Sequence, residues 1–195
     1  DMQKQRIITA ITGASGAVYG IRILQMLQVP GIETHLVISP PGASTIEQEA
    51  DMSVEEVAAL ADVTHAYENI GASIASGSFR AAGMIVCPCS IKSLSSIANS
   101  HADNLITRAA DVQLKEGRTL LLAVRETPLH AGHLRLMLQA SEAGAVIMPP
   151  VPAWYSRPST LDEMVEQTAA RILQRFGLDL PGSYQWEGIE QPSAE

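Results

Sequence analysis

Small, hydroxyl, basic and aromatic side chains follow the apolar runs of this sequence, and these are the residues that could do chemistry. The turn Gly13–Gly16, Ser39 and Ser90 offer backbone N–H groups and hydroxyls, which bind anions. Arg125 adds a guanidinium, and Tyr155 adds an aromatic ring with a hydroxyl. Together these groups are typical of a site that holds a phosphate and a planar ring.

The turn Gly13-Ala14-Ser15-Gly16 has the composition of an anion-binding turn at the start of a helix. Glycine lets the backbone approach an anion closely, and the first turn of a helix carries free N–H groups and a positive dipole end. The spacing of Gly13, Gly16 and Gly20 differs from the dinucleotide pattern GxGxxG, and no Gly-Lys-Ser/Thr occurs. A tight strand–helix turn without a ligand is the alternative that the turn alone leaves open.

Basic residues are spread along the chain and could form a second phosphate site. Arg108 and Lys115 lie seven residues apart, so two helical turns put them on one face, and Arg171 lies in a later helix. Asp111 and Glu116 could instead hold Arg108 and Lys115 in ordinary surface ion pairs. Only folding or assembly could bring the three basic residues together.

Acidic and imidazole side chains complete the candidates. Glu49 follows the second apolar strand and could give or take a proton beside a ring, or could be an ordinary solvated helix residue. His130 and His133 lie three residues apart on a predicted helix, but no third metal ligand is evident. We therefore predict no metal site and interpret both histidines as helix-surface residues.

Apolar runs and amphipathic segments alternate along the whole sequence. Continuous apolar runs predict buried strands, and apolar residues at spacings of three and four predict helices. The predicted strands are Arg6–Thr12, Glu33–Ile38, Gly83–Cys87, Arg118–Val124 and Ala145–Met148. The predicted helices are Gly16–Leu27, Ile91–Asn99, Asp103–Lys115, Leu129–Ala143 and Leu161–Phe176, with a segment at Glu47–Ala61 that is broken near Met52–Ser53.

Strands that alternate with helices predict parallel pairing, and hence an α/β three-layer sandwich with an open, mainly parallel sheet of the Rossmann or flavodoxin type. In such sheets ligands bind outside the carboxyl ends of the strands, which is where the glycine turn, the serines and Arg125 fall. We predict one domain over residues 1–180 and a tail over residues 181–195. Trp186 in that tail could pack on a neighbouring subunit or belong to a disordered end.

Bulk composition limits the partners. The 195 residues carry a formal net charge of −8 at pH 7, which disfavours nucleic acid and anionic membranes because both attract lysine and arginine. Cys87 and Cys89 are too close for a good disulfide, and we interpret them as a core thiol and a loop thiol. The N-terminal residues lack the layout of a signal peptide, and no apolar run approaches about 20 residues. We therefore expect a cytoplasmic protein.

Several longer segments are more specific than these single features. They are TGASGA at 12–17, PCS at 88–90, DNLITRAADVQLK at 103–115, RETPLH at 125–130 and GAVIMPPVPAWY at 144–155. In order and spacing they closely resemble the flavin prenyltransferase family, often called the UbiX or phenylacrylic-acid-decarboxylase-like family. The resemblance extends from Ile7 to about Arg175, which is most of the chain.

This resemblance implies an enzyme that binds FMN, reduced when it reacts, and joins it to dimethylallyl monophosphate without a metal. The product, prenylated FMN, has a fourth, non-aromatic ring across N5 and C6 and is the cofactor of a partner decarboxylase of the UbiD family. The resemblance also implies a homo-oligomer built from trimers, commonly a dodecamer, with the site between subunits.

Matched position by position, the family pattern implies a role for each candidate residue. The residues that match the FMN site are Gly13, Ala14, Ser15, Ser39, Ser90, Ile91, Lys92, Ser93 and Arg125. The residues that match the prenyl-phosphate pocket are Arg108, Lys115, Tyr155 and Arg171. Glu49 matches an acidic residue near the flavin, and Glu126 one near the phosphate. The predicted catalytic residues are Ser15, Glu49, Glu126 and Tyr155.

Other functions stay open at this point. A flavin-dependent cysteine decarboxylase has a similar sheet, but its Pro-x-Met-Asn stretch has no counterpart at Met148–Pro152. A non-catalytic FMN carrier would not need the three basic residues, and a direct phenolic-acid decarboxylase would release carbon dioxide without a partner. The sequence also leaves open whether the donor is a monophosphate or a diphosphate. Either the departed phosphate, or Glu49 with Ser15, could relay the proton released on ring closure.

Overall fold

The computed structural model describes residues 4–188, and over these residues six parallel strands form one open sheet. The strands are β1 (Gln5–Ile11), β2 (Ile32–Ile38), β3 (Val63–His65), β4 (Gly83–Cys89), β5 (Thr119–Val124) and β6 (Val146–Ile147). The helices of this part of the chain are α1 (Ala17–Met26), α2 (Pro40–Glu49), α3 (Val54–Ala58), α4 (Ile91–Ala98), α5 (Leu105–Lys115), α6 (Ala131–Glu142) and α7 (Leu161–Gln174). The predicted α/β class with an open parallel sheet is confirmed.

The order of the strands places the first strand at the centre of the sheet. The order is β3-β2-β1-β4-β5-β6, so β1 pairs with β2 on one side and with β4 on the other. The connections after β1 and after β4 therefore run in opposite directions across the sheet. Doubly wound sheets bind their ligands at the carboxyl ends of the two strands on either side of such a switch point.

Neighbouring residues along each strand point to opposite faces of the sheet, and each face buries a separate layer of helices. On one face, Ile7 and Ile85 pack with residues of α1 and α7. On the other face, Ile8 and Met84 pack with residues of α4, α5 and α6. Isoleucine and valine suit both faces because branched side chains pack well on a pleated surface. Helices α5 and α7 thus lie on opposite sides of the sheet.

The second helix begins earlier than predicted. It starts at Pro40 instead of Glu47. The Ser39 hydroxyl caps the helix by accepting the N–H of Gly42 at 3.0 Å. Proline fits the first helical position because a backbone N–H there would have no partner within the helix. The predicted break near Met52–Ser53 is confirmed, since Ser53 begins α3 with a reciprocal cap.

Two strands also differ from the prediction. Strand β3 was not predicted, because two of its three residues are exposed and they form no apolar run. It pairs with the outer edge of β2, where His35 Nδ1 and His65 Nε2 lie 2.9 Å apart. Strand β4 continues two residues beyond the predicted Cys87, to Cys89.

Within residues 4–188, no helix is long and apolar enough to cross a membrane. The same residues contain no group of three or more His, Cys, Asp or Glu side chains that could hold a metal ion. Of the predicted tail, residues 189–195 lie outside the described residues. Trp186 lies within them, and its ring centroid is 5.6 Å from that of Tyr155 in the same chain.

Candidate functional site

The turn after β1 is shaped by glycine at two positions. Gly16 has a φ of +104°, a conformation that residues with a Cβ rarely adopt. At Gly13 a Cβ would lie only 2.3 Å from the Cβ of Pro41, so the start of α2 packs directly on the turn. The composition of this turn is therefore explained by close backbone packing as well as by ligand binding.

Thr12 ties the end of β1 to the end of β4. Its side chain is buried, and its hydroxyl donates to the carbonyl of Pro88 at 2.7 Å. The same hydroxyl accepts the N–H of Ser90 at 2.8 Å. The two turns that begin at Gly13 and Ser90 are thus held side by side at the switch point. No pattern in the sequence indicated this role, since Thr12 had the pattern of a strand residue.

A cavity of about 250 Å³ opens between these turns. Its walls are formed by Gly13, Ser39, Pro41, Tyr67, Ser90, Lys92, Ser93, Ser96, Asn104 and Thr107. Three of these residues, Ser39, Ser90 and Asn104, cap the N-termini of α2, α4 and α5. The positive dipole ends of three helices therefore lie around one cavity, which favours an anion there.

Helix α4 offers the most complete set of anion donors. The Ser90 hydroxyl accepts the N–H of Ser93 at 3.2 Å, which leaves the N–H groups of Ile91 and Lys92 in the first turn without an intrahelical partner. The exposed Lys92 side chain adds a positive charge at the same cavity. By contrast, α2 begins with two prolines and has no N–H at those positions.

Glu49 is the last residue of α2, and its side chain lies at the start of α1. Its Oε2 accepts the N–H of Gly16 at 2.8 Å. Burial raises the pKa of Glu49, but hydrogen bonds from Gly16, Ser15 and Ala17 and the nearby charge of Arg125 together hold that pKa below its ordinary value. The carboxylate is therefore ionised at neutral pH. The structure brings Ser15, Glu49 and Arg125 together, although they come from three separate segments.

Tyr155 and Arg171 line a second, smaller pocket of about 60 Å³. The other residues that form it are Met148, Pro149, Val151, Ala153, Ser156, Gln167, Thr168, Gln174 and Tyr184. A guanidinium and a phenol among largely apolar walls suit a phosphate that carries a short hydrocarbon chain. This pocket shares no lining residue with the cavity at α4.

Arg108 and Lys115 do not join Arg171. Arg108 Nη1 lies 3.1 Å from Asp111 Oδ2, and Lys115 pairs with Glu116. The surface ion pairs that the sequence left as the alternative are therefore present. Because α5 and α7 pack on opposite faces of the sheet, one chain does not assemble all three basic residues around one pocket.

Glu126 and the two neighbouring histidines have local partners. Glu126 is exposed and accepts the N–H of Thr127 at 3.0 Å. His130 caps α6, with its Nδ1 accepting the N–H of Gly132 at 2.9 Å, and its ring stacks on that of His133. Both imidazoles thus belong to the start of this helix.

Both cysteines are buried in β4, so our interpretation of Cys89 as a loop thiol was wrong. The strand continues through Cys89 because its side chain packs in the core on the α4 face. Burial raises the pKa of the Cys89 thiol to about 12 and raises that of Cys87 as well. Neither thiol is a nucleophile at neutral pH.

Some residues that line the two pockets were not identified from the sequence. Asn104 and Thr107 line the cavity at α4. Asn104 is the N-cap of α5 and accepts the N–H of Thr107, and an asparagine just before an amphipathic segment is a sequence signal for such a cap. Tyr67 and Tyr184 carry no local signal, because each reaches its pocket from a segment without regular structure.

Comparisons with known proteins bear directly on this site. The Flavoprotein family model matches residues 1–169. A flavin prenyltransferase UbiX from Escherichia coli (strain K12) is 58% identical over 187 residues, which cover 94% of this chain and 99% of that relative. The crystal structure of AnUbiX (PadA1) in complex with FMN and dimethylallyl pyrophosphate has a TM-score of 0.94 and 47% identity, and the match covers 96% of this chain and 100% of that one. The crystal structure of a dodecameric FMN-dependent UbiX-like decarboxylase from Escherichia coli O157:H7 has a TM-score of 0.92 and 48% identity. The match covers 94% of this chain and 100% of that one.

Proposed function

We propose that this chain joins the dimethylallyl group of dimethylallyl monophosphate to N5 and C6 of reduced FMN. The chain belongs to the Flavoprotein family and, within it, to the flavin prenyltransferases. One observation carries this proposal. The chain has two separate pockets lined with anion-binding groups, and a transfer between two phosphorylated molecules needs one for each phosphate. The solved relative with both FMN and dimethylallyl pyrophosphate supports the same division.

The residues of the larger cavity fit the phosphate of FMN. The free N–H groups of Ile91 and Lys92, the Lys92 ammonium and the surrounding helix dipoles together favour a dianion. The absence of a side chain at Gly13 lets Pro41 at the start of α2 pack closely enough to form the wall of this cavity. We assign the Ser39 and Ser90 hydroxyls to the same site, where they hold the helix starts that surround the phosphate.

The second pocket fits the donor. The Arg171 guanidinium and the Tyr155 hydroxyl are placed to stabilise the negative charge that develops on the leaving phosphate. The apolar part of its lining lowers the local dielectric, which strengthens this electrostatic effect. Bound reduced FMN supplies the nucleophilic nitrogen, so the protein has to provide position and charge.

Ring closure releases a proton, and we propose Glu49 as its acceptor. The carboxylate is ionised and lies beside Ser15, through whose hydroxyl a proton could pass. The departed phosphate is the other candidate acceptor. Because the pKa of Glu49 is low, its strength as a base is modest, and we expect its contribution to lie near the lower end of the usual range for general bases.

We further propose that the chain assembles into a homododecamer built from trimers and that a neighbouring subunit completes the donor pocket. Arg108 and Lys115 lie on the other side of the sheet from Arg171, so assembly is the route by which they could contribute. The exposed Leu134 and Leu138 on α6 give an apolar surface for such contacts. The dodecameric relative supports the same oligomer.

We also propose that prenylated FMN leaves for a decarboxylase of the UbiD type and that the reaction takes place in the cytoplasm. Two buried free thiols and a reaction that needs reduced FMN are consistent with a reducing compartment. Activation of a purified, cofactor-free UbiD-type decarboxylase by the reaction product would support this partner. A decarboxylase that stays inactive in the presence of the product would contradict it.

The experiment that tests the proposed reaction is anaerobic. The full chain is mixed with FMN, dithionite and dimethylallyl monophosphate, and the mass of the extracted flavin is measured. We expect a gain of one prenyl unit without the phosphate, and a slower gain when the diphosphate replaces the monophosphate. Bound but unmodified FMN with both donors would contradict the proposal and favour the carrier, whereas faster alkylation with the diphosphate would overturn only the donor assignment.

A further inference from the structure

The C-terminal residues 178–188 fold back over α7. The N–H of Leu178 donates to the carbonyl of Leu173 at 3.3 Å, and the side chains of Leu178 and Leu180 pack against the core on the α7 face. The segment then turns at Gly182, whose φ is +91° and where a Cβ would lie 2.7 Å from Cγ of Glu166 on α7. This close contact directs the following residues back along the helix.

Two aromatic rings of this segment then reach Tyr155. The ring centroid of Tyr184 lies 5.3 Å from that of Tyr155, and the Trp186 centroid lies 5.6 Å away in an edge-on arrangement. Over residues 4–188, both aromatic partners of the Tyr155 ring come from this segment. Tyr184 also lines the same pocket as Arg171.

The loop that carries Tyr155 gives its ring little other support. Tyr155 is 49% exposed, and its direct neighbour Trp154 is 71% exposed. The backbone of this loop is held on both sides of Tyr155, since the N–H of Arg157 donates to the carbonyl of Trp154 at 2.9 Å and Ser156 donates to Oε1 of Gln167 on α7 at 2.5 Å. These hydrogen bonds hold the backbone and leave the side chain free to rotate, so the aromatic contacts from the C-terminal segment bear on the direction of the Tyr155 hydroxyl.

We propose that Tyr184 and Trp186 are positioning residues of the donor pocket, which hold the Tyr155 ring so that its hydroxyl meets the donor phosphate beside Arg171. This inference rests on the proposed function, because it concerns the phosphate that the prenyl donor carries. Tyr184 in addition closes one wall of the apolar part of the pocket. The segment after α7 is thereby a part of the donor site.

The expected effect follows from the strength of aromatic contacts. One aromatic pair stabilises its arrangement by a factor of roughly 2 to 12 in an equilibrium constant. Loss of the Tyr184 ring therefore lowers the population of correctly placed Tyr155, and the apparent donor affinity falls in proportion. We expect the KM for dimethylallyl monophosphate to rise about fivefold in Tyr184→Ala, with kcat at saturating donor and FMN affinity close to those of the unchanged protein.

The test compares four variants of the full chain, each loaded with reduced FMN. Tyr184→Phe keeps the ring and should restore the original KM, whereas Tyr184→Ala and Trp186→Ala should raise it. Trp154→Ala is the control, since it removes an exposed aromatic ring next to Tyr155 that makes no aromatic contact with the Tyr155 ring among the described residues, and its KM should not change. Thermal midpoints show whether each variant folds, and Trp186→Ala keeps the test valid if Tyr184→Ala does not fold.

Three results would overturn the inference. They are an unchanged KM in both alanine variants, a loss in Tyr184→Phe as large as that in Tyr184→Ala, and a loss in Trp154→Ala as large as either. A failure of the proposed function is separate, since it would show as an absence of alkylated flavin in the unchanged protein. In that case inorganic phosphate, measured by calorimetry, is the probe, and it should still bind about fivefold more weakly to Tyr184→Ala. Equal binding would reject the positioning role.

Discussion

Replacement of Glu49 by glutamine separates two roles of this side chain, as a cap of α1 and as a proton acceptor. Glutamine keeps an oxygen that can accept the N–H of Gly16, now 2.8 Å from the carboxylate, but it carries no charge and cannot take a proton. A hydrogen bond with a charged partner contributes about 1.5–3 kcal/mol, against about 1 kcal/mol for a neutral one. Because Glu49 is an exposed residue, solvent screens the charge, and we expect a loss of about 0.5–1 kcal/mol.

This loss of stability is small compared with the expected loss of rate. For a chain of this size about 1 kcal/mol lowers the thermal midpoint by roughly 2–4 °C. Removal of a general base typically slows the chemical step by about 10²–10⁴-fold, and the low pKa of Glu49 favours the lower end of that range. Glu49→Gln should therefore bind FMN normally and alkylate it about a hundredfold more slowly.

The assay is single-turnover alkylation of bound, reduced FMN with excess donor, followed by mass analysis of the flavin. Glu47→Gln is the control, since it removes a charge from the same helix at another exposed position. An unchanged rate in Glu49→Gln would refute the role in proton transfer and leave the departed phosphate as the acceptor. Loss of FMN with normal turnover in the remainder would show that Glu49 serves only to shape the site.

The pKa of Glu49 also predicts a pH dependence, and three more variants or treatments test other contacts. Because the pKa of Glu49 is lowered in the folded state, its ionised carboxylate contributes its full stabilisation above the ordinary carboxyl pKa of about 4.3. This contribution to the free energy of unfolding is lost as the pH falls through the lower pKa of the folded state. A difference in thermal midpoint between Glu49→Gln and the unchanged protein that persists well below about pH 4 would contradict this. Thr12→Val leaves the N–H of Ser90 without its partner and removes one of the two donors to the carbonyl of Pro88, which keeps the backbone N–H of residue 12. Calorimetry should show a loss of about 1–3 kcal/mol together with weaker FMN binding, and normal values of both would show that the link is dispensable. Gly13→Ala places a Cβ against Pro41 and should reduce FMN binding at least tenfold by titration, so normal binding would mean that the start of α2 moves freely. Iodoacetamide at pH 8 should modify neither cysteine in the native protein and both in urea, because burial raises the pKa of both thiols, that of Cys89 to about 12; rapid modification of one native thiol would disprove their burial.

The sequence was sufficient to predict the central strands and the positions of the turns that follow β1 and β4. Apolar runs such as Arg6–Thr12 are long and continuous, because a strand in a covered parallel sheet is buried on both faces. The signals for α2 were also present in the sequence, as a serine before two prolines, but the polar residues that follow concealed the helix. Strand β3 could not be predicted, since three mostly exposed residues owe their conformation to pairing with β2.

The arrangement of the charged residues could not be predicted from the sequence alone. Glu49 and Gly16 are 33 positions apart and meet only because α2 returns to the turn after β1. Arg108 and Arg171 match one phosphate pocket in the family pattern, yet α5 and α7 lie on opposite faces. Which face a helix covers depends on the order of the strands, and neither hydrophobic periodicity nor spacing contains that order.

The central claim is that FMN and the prenyl donor are held by separate anion sites, and Arg171→Ala tests it most directly. The measurement is the amount of flavin per chain and its alkylated fraction, by mass analysis after anaerobic reaction with dimethylallyl monophosphate. Arg175→Ala, which removes an exposed arginine one turn later, is the control. We predict that Arg171→Ala keeps its full content of FMN and loses at least nine-tenths of the alkylation rate, while Arg175→Ala keeps both. Loss of FMN from Arg171→Ala, or alkylation at the original rate, would contradict the division into two sites.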